Sequence, residues 1–302
     1  MTFFVPALSA FAAIAFFSAA SAAPPDSKED WCAQLGKRLA SVREKTCRTY
    51  AFSPAARRSV KGRPLMMFET APAKPQTQLS ATETPSAAPR VLLIGGIHGD
   101  ELTSISIVFR WMEWLSEPPA RALHWRIAPL ANPDGLFARP ARRVNGNGVD
   151  LNRNFPTPDW RSDALAYWKN RTGNDPRRYP GRAPMSEPET LWLTEEIQSF
   201  RPDVIISVHA PYGVLDYDGP RHKPRQFGRL HLNQLGVYPG SLGNFGGIYQ
   251  EIPVVTIELP NAVTMPKLEE QRHIWNDMMN WIARRIAPKP EQEQEAPRQK
   301  TP

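Results

Sequence analysis

A histidine and an acid three residues apart, His98 and Glu101, follow the apolar run Val91 to Ile94 and the pair Gly95-Gly96 in the stretch VLLIGGIHGDE. A strand ending this way presents two ligands at once. Imidazole and carboxylate together suit zinc, which in catalytic sites takes three protein ligands and leaves one position for water. The segment VIISVHAP repeats the pattern, with an apolar strand from Val204 to Val208 closing on His209, and supplies a third ligand. One more apolar run, Ile252 to Leu259, sets Glu258 among apolar neighbours. Alone, such a residue reads as an edge-strand glutamate facing water; beside three metal ligands it reads as a general base. Neither Ser207 nor Ser241 sits in a Gly-x-Ser-x-Gly elbow, so no serine nucleophile is expected.

The stretch Arg139 to Pro156, RPARRVNGNGVDLNRNFP, is dense in Arg and Asn. A solvated basic loop is its plain reading. Its Asn-Gly repeat and the apolar–polar alternation through Val149 and Leu151 would instead hold the polar groups in a fixed register. Guanidinium grips a carboxylate with two parallel hydrogen bonds, so the segment reads as a clamp on an acid group.

These groups need elements to carry them. After Glu101, Ile105, Val108, Phe109, Met112 and Leu115 recur at helical spacing, which puts the first pair on a strand-to-helix turn. Open α/β sheets bind ligands in the crevice outside their strands' carboxyl ends. A turn and then a short strand, Pro64 to Glu69, are expected in the region from Ser53, followed by an exposed Pro-, Ala-, Thr- and Ser-rich loop over Thr70 to Pro89. His124 to Leu130 alternates like a strand and runs into the turn signal Ala131-Asn132-Pro133-Asp134-Gly135. Ser186 and Glu189 have capping-box spacing at the head of a helix that Arg201-Pro202 ends after Phe200. The fold expected is α/β, a mixed central sheet flanked by helices.

The chain has 302 residues, enough for a sizeable core. An apolar run from Ala7 to Phe17 and the small residues Ser18 to Ala23 fit a secretory signal peptide over 1–22, although no Lys or Arg precedes the run. An uncleaved anchor is the alternative, and the run is short for a spanning helix. The two cysteines, Cys32 and Cys47, fall in an N-terminal extension over 23–52. In the oxidising compartment that export implies they form a staple worth about 3 kcal/mol; two buried thiols are the alternative. A disordered Pro-, Gln- and Glu-rich tail is assigned to 287–302, and the resemblance set out below implies a catalytic domain over 53–286. A net charge of +7 is spread along the chain without an aromatic-interleaved basic motif. No nucleic-acid partner is expected, and an anionic surface or substrate fits the charge.

In order, His98-x-x-Glu101, Asn132-Pro133-Asp134-Gly135, Asp150-Leu151-Asn152-Arg153-Asn154-Phe155, His209 and Ile257-Glu258-Leu259 resemble the zinc metallocarboxypeptidase family. The fused GGIHGDE, the short NGNGVDLNRNFP, Ser186-Glu187-Pro188-Glu189-Thr190 and Pro239-Gly240-Ser241-Leu242-Gly243 are most similar to its murein peptide amidase branch. The resemblance implies one zinc ion held by His98, Glu101 and His209, with Asp150 accepting the free N–H of His98. It implies that Glu258 is the general base and then acid, and that Asn152 and Arg153 hold the free carboxylate on the leaving side. Arg143 would polarise the scissile carbonyl, with neighbouring Arg142 the competing position. Tyr238 would be the pocket tyrosine, with Tyr249 competing. The pocket wall would come from Pro211 to Arg225 and Gly240 to Gly247.

The activity implied is hydrolysis of an amide next to a free carboxylate, by a periplasmic or secreted enzyme without stable membrane insertion. Its substrates would be peptidoglycan stem peptides, cut between γ-D-glutamate and diaminopimelate. Two alternatives stay open: an N-acyl amino acid deacylase of the succinylglutamate desuccinylase or aspartoacylase type, and a cell-wall peptide-binding protein that keeps the fold without catalysis. His124, His222, His231 and His273 are expected to be surface or packing residues.

Overall fold

The computed structural model describes residue 1 and residues 27–72, 88–220 and 222–286. The expected signal segment, the tail and most of the loop over Thr70 to Pro89 lie outside these residues.

The chain runs α1 (Lys28–Arg38), α2 (Glu44–Thr49), β1 (Ser53–Arg58), β2 (Pro64–Thr70), β3 (Arg90–Ile94), α3 (Leu102–Met112), β4 (His124–Ala128) and α4 (Pro133–Phe137). It continues through α5 (Leu165–Thr172), α6 (Pro188–Phe200), β5 (Val204–His209), β6 (Val214–Asp218), β7 (Gln226–Phe227), β8 (Leu230–His231), β9 (Val254–Glu258) and α7 (Leu268–Arg285). Seven strands form one mixed sheet in the order β1-β2-β4-β3-β5-β9-β6, while β7 and β8 make a separate ribbon. The four central strands β4, β3, β5 and β9 are parallel, and antiparallel strands flank them. Their carboxyl ends therefore share one edge, where β3 leads to His98, β5 ends on His209 and β9 on Glu258.

Side chains alternate across a strand, and the core divides accordingly. Val91 and Leu93 of β3, with Val204, Ile206 and Val208 of β5, pack with Trp31, Leu35, Ile105, Trp111, Trp275 and Ile282 from α1, α3 and α7. Leu92, Ile94 and Ile205 face the other way, against Trp192, Leu193 and Ile197 of α6. The segment around the two cysteines belongs to the first layer. Cys32 and Cys47 are bridged, Trp31 packs on Phe52 and Phe109, and Ser41 Oγ donates to Ser106 Oγ of α3 at 2.6 Å. No helix among the described residues is long and apolar enough to cross a membrane.

Two local expectations are corrected. Ser53 to Arg58, expected as a turn, is strand β1: its exposed or half-buried residues pair with β2 rather than filling the core. The Ser186 capping box does not form. Glu187 is the N-cap of α6 and Ser186 Oγ donates to its carboxylate at 2.7 Å, while Glu189 instead accepts from Val60 N at 3.2 Å and from Asn145 Nδ2 at 3.0 Å. Tertiary partners have taken the side chain that the box requires.

Candidate metal and catalytic site

Close backbone approach builds the turn after β3. Ala131 N donates to Gly95 O at 3.0 Å and Asn132 N to Gly96 O at 2.9 Å, which lashes this turn to the one after β4. A Cβ on Gly99 would sink into the backbone of Gly135, so the two chains cross where only glycine fits. Asn132 caps α4 by accepting from Gly135 N at 2.8 Å, and its Nδ2 donates to Arg143 O at 3.0 Å. The Asn-Pro-Asp-Gly motif is thus a short capped helix whose first side chain fixes Arg143 in space.

At the sheet edge, His98, Glu101 and His209 converge, all buried. His98 Nδ1 lies 2.8 Å from Glu101 Oε1 and 3.1 Å from His209 Nδ1, which is itself 3.1 Å from Glu101 Oε2. The far nitrogen of each ring is committed elsewhere: His98 Nε2 to Asp150 Oδ1 at 3.0 Å and His209 Nε2 to Ser207 Oγ at 2.9 Å. Protons on those far nitrogens leave two lone pairs and a carboxylate facing one point, an arrangement that is repulsive without a cation. The separations come close to the roughly 3.3 Å edge of a tetrahedron of N and O ligands around zinc. The donor set fits that metal. Burial would raise the Glu101 carboxyl, but His98 and His209 beside it hold it below the usual carboxylate range.

Asp150, fully buried, ties this cluster to the Arg-rich segment. Its Oδ1 accepts from His98 Nε2 and Asn152 N, and its Oδ2 accepts from Arg143 Nε at 3.0 Å. Burial pushes its carboxyl up, and Arg143 and His98 outweigh that to hold it well below the ordinary value. Arg143 also reaches Glu101 Oε1, Nη1 to oxygen 3.3 Å, while Arg142 is exposed. The loop between is pinned by Asn145, whose Oδ1 accepts from Asn147 N and Val149 N and whose Nδ2 donates to Glu187 and Glu189.

Asn152 Oδ1 accepts from Leu242 N at 2.8 Å, which turns its amide nitrogen to the open side. Arg153 is buried, with its guanidinium carbon 4.5 Å from the centre of the Tyr238 ring. Burial lowers its pKa, the signature of a desolvated cation short of counter-charge. Tyr238 donates its hydroxyl to Leu235 O at 2.7 Å, whereas Tyr249 feels Asp159 and Asp163 instead. Gly240 adopts φ +74°, and a Cβ there would overlap the Arg153 carbonyl, so this glycine lets the Pro239 to Gly243 turn press on the clamp.

Glu258 pairs in register with His209 across β5 and β9, on the same sheet face. It is 7% exposed, and its Oε2 is buried without a partner among the described residues. Burial raises its pKa; His209 opposes the rise and Glu101 adds to it.

Four residues near the site were not singled out from the sequence. Ser207 was weighed only as a nucleophile, and its contact with His209 has no sequence signal beyond a period of two. Asp216 and Asp218, buried on β6, share Glu258's face because Val214 pairs with Glu258 and Asp216 with Thr256. Arg178, on the turn before Tyr179, lies in a stretch that carries no motif. Of the remaining histidines, His124, at the amino end of β4, bonds Glu69 Oε1 at 2.8 Å and His273 lies on α7.

A family model for zinc carboxypeptidases matches residues 43–226. Murein peptide amidase A of Escherichia coli K12 is 32% identical over 243 residues, covering 76% of this chain and 92% of the relative. The enzyme of the same name from Vibrio campbellii is 31% identical over 212 residues, covering 67% and 77%. The crystal structure of murein-tripeptide amidase from Escherichia coli O157 superposes with a TM-score of 0.51 at 27% identity, covering 80% of this chain and 95% of that one. Carboxypeptidase A from Helicoverpa armigera shares the fold, with a TM-score of 0.60 at 17% identity over 85% and 70% of the two chains. Together with the ordered motifs and the mixed sheet that carries them, these likenesses show that the chain belongs to the zinc carboxypeptidase family of metal-dependent hydrolases, which use one catalytic zinc ion.

Proposed function

We propose that this protein is a periplasmic or secreted zinc-dependent amidase of peptidoglycan stem peptides, which cuts the amide between γ-D-glutamate and diaminopimelate. One observation carries the reading: Glu258, with a carboxylate oxygen buried and unpartnered among the described residues, stands in register beside His209 of a three-ligand cluster. A binding protein has no use for that poised base.

His98, Glu101 and His209 would hold the metal, which when bound would supply Lewis-acid activation of a water and of the scissile carbonyl. Glu258 takes the proton of the attacking water and returns it to the departing amine, its raised pKa suiting both acts. Arg143, braced by Asp150, stabilises the developing oxyanion. Asn152 and Arg153 grip the free carboxylate next to the new amine. Diaminopimelate also bears a distal ammonium, and the buried carboxylates of Asp216 and Asp218 on Glu258's face suit it. The names of the amidase relatives support the murein substrate. The disulfide supports an oxidising compartment.

The test is digestion of defined muropeptides by the zinc-loaded protein with mass spectrometry of the products. Release of diaminopimelate, or of a peptide beginning with it, is expected. Binding of the stem peptide without cleavage would overturn the reading in favour of a binding protein.

A further inference from the structure

A cavity of about 280 Å³ adjoins the cluster, with Glu101, Arg143, Arg178, Pro211 and Tyr212 in its wall. The clamp residues Asn152 and Arg153 are not among its lining residues. Since the clamp takes the leaving half of the substrate and Arg143 stands at the scissile carbonyl, this cavity receives the acyl half. The assignment rests on the function proposed above.

Two further arginines reach this space. Arg177 is paired, with Nη2 2.8 Å from Asp100 Oδ2. Arg178 is not: among the described residues its one ionic neighbour is Asp175 Oδ2, 3.6 Å from Nε, too far for a hydrogen bond. Asp175 is itself committed, since its Oδ1 accepts from Arg177 N at 2.9 Å. The Nη groups of Arg178 donate no hydrogen bond to a described residue.

The mount is fixed at both ends. Trp168 Nε1 donates to Asp175 O at 2.7 Å, and its ring packs 5.0 Å from that of Tyr179. Tyr179 O accepts from Asp150 N at 2.8 Å, which links the Arg178 turn to the residue that orients His98 and Arg143. The charge of Arg178 is felt at Arg153 and Tyr238. It therefore stands between clamp and cavity as a guanidinium fork held open.

We propose that Arg178 binds a second substrate carboxylate, carried by the acyl half, and so favours γ-linked glutamyl donors over donors without a carboxylate there. A γ-linked glutamyl group keeps its α-carboxylate free, four carbon–carbon bonds or roughly 5 Å from the scissile carbonyl carbon. An α-linked residue other than glutamate offers no carboxylate at that distance. A fork of N–H donors meets a carboxylate bidentately, and the other arginines lining the cavity, Arg143 and Arg177, are already engaged.

The experiment compares L-alanyl-γ-D-glutamyl-diaminopimelate with L-alanyl-4-aminobutyryl-diaminopimelate, which lacks only that carboxylate. The zinc-loaded wild type is expected to favour the first by about 10- to 100-fold in kcat/KM, the scale of a hydrogen bond to a charged group. Arg178→Gln should erase the preference through a higher KM for the first substrate and leave the second unchanged. Arg178→Lys should restore part of it, which also shows that the turn still folds. Equal cleavage of both substrates by the wild type, or equal slowing of both by Arg178→Gln, overturns this inference alone. Failure of the wild type to cleave either overturns the proposed function, and this inference with it.

Discussion

His98 and His209 turn the same ring nitrogen toward each other, Nδ1 to Nδ1 3.1 Å, yet their far nitrogens are tethered by different chemistry. Asp150 holds one ring through a buried carboxylate; Ser207 holds the other through a neutral hydroxyl. A carboxylate makes its imidazole more basic, whereas a hydroxyl fixes mainly the tautomer and the ring plane. Both settle which nitrogen is left to face the metal.

Ser207→Ala is therefore expected to lower zinc affinity about tenfold or more, read by competition with a chromophoric chelator. Ser207→Thr keeps the hydroxyl and should recover most of the loss. The removed group is small, so metal-free thermal stability should change little by comparison. Unaltered affinity in the alanine variant would show that His209 needs no tether.

Glu258→Gln is expected to keep the zinc and lose the reaction. The amide preserves the shape but can neither take a proton from water nor hand one to the amine. Its cost should be about 3 kcal/mol or more of transition-state stabilisation, on the scale of a general base. Metal analysis beside single-turnover kinetics separates the two properties. Near-normal turnover would remove Glu258 from the chemistry.

Gly240→Ala tests the clamp from behind. The new methyl would press on the Arg153 carbonyl, and φ +74° strains any side chain at that position. A stability loss above about 1 kcal/mol is expected, with a KM that rises more for substrates bearing the free leaving-side carboxylate than for their amidated forms. An equal rise for both would mean that the turn supports folding but does not position Arg153.

The site's skeleton was legible because every ligand stands at the carboxyl end of an apolar run, and parallel strands bring such ends to one edge. Adjacent arginines were harder. Arg142 and Arg143 differ by nothing local, and only the buried carboxylate of Asp150 decides which one turns inward. Strand β1 was missed because SPAARR has no apolar face and pairs as an outer strand. The false capping box at Ser186 had the right spacing, but Glu189 serves Val60 and Asn145 from elsewhere in the fold. Ser207 and Arg178 had no readable signal, since their roles depend on partners fixed only by the fold.

Asp218 provides a last test, of pH. It is 8% exposed with Gly243 against its carboxylate, and burial, reinforced by Asp216, pushes its pKa up to about 7. In the unfolded chain it releases its proton near the ordinary value of 3.8. Between these values the unfolded state has lost a proton that the folded state keeps, so rising pH favours unfolding; above about 7 the penalty stays constant. Glu189, raised to about 7 by burial, acts in the same direction, so the wild type should be more stable near pH 5 than near pH 8. Asn at position 218 keeps the shape without the charge. Asp218→Asn should thus be more stable than the wild type at pH 8, by roughly 2–4 kcal/mol, and gain nothing below pH ~4, as read from urea denaturation across the range. A gain that did not vary with pH would place its origin in packing against Gly243 rather than in the buried charge.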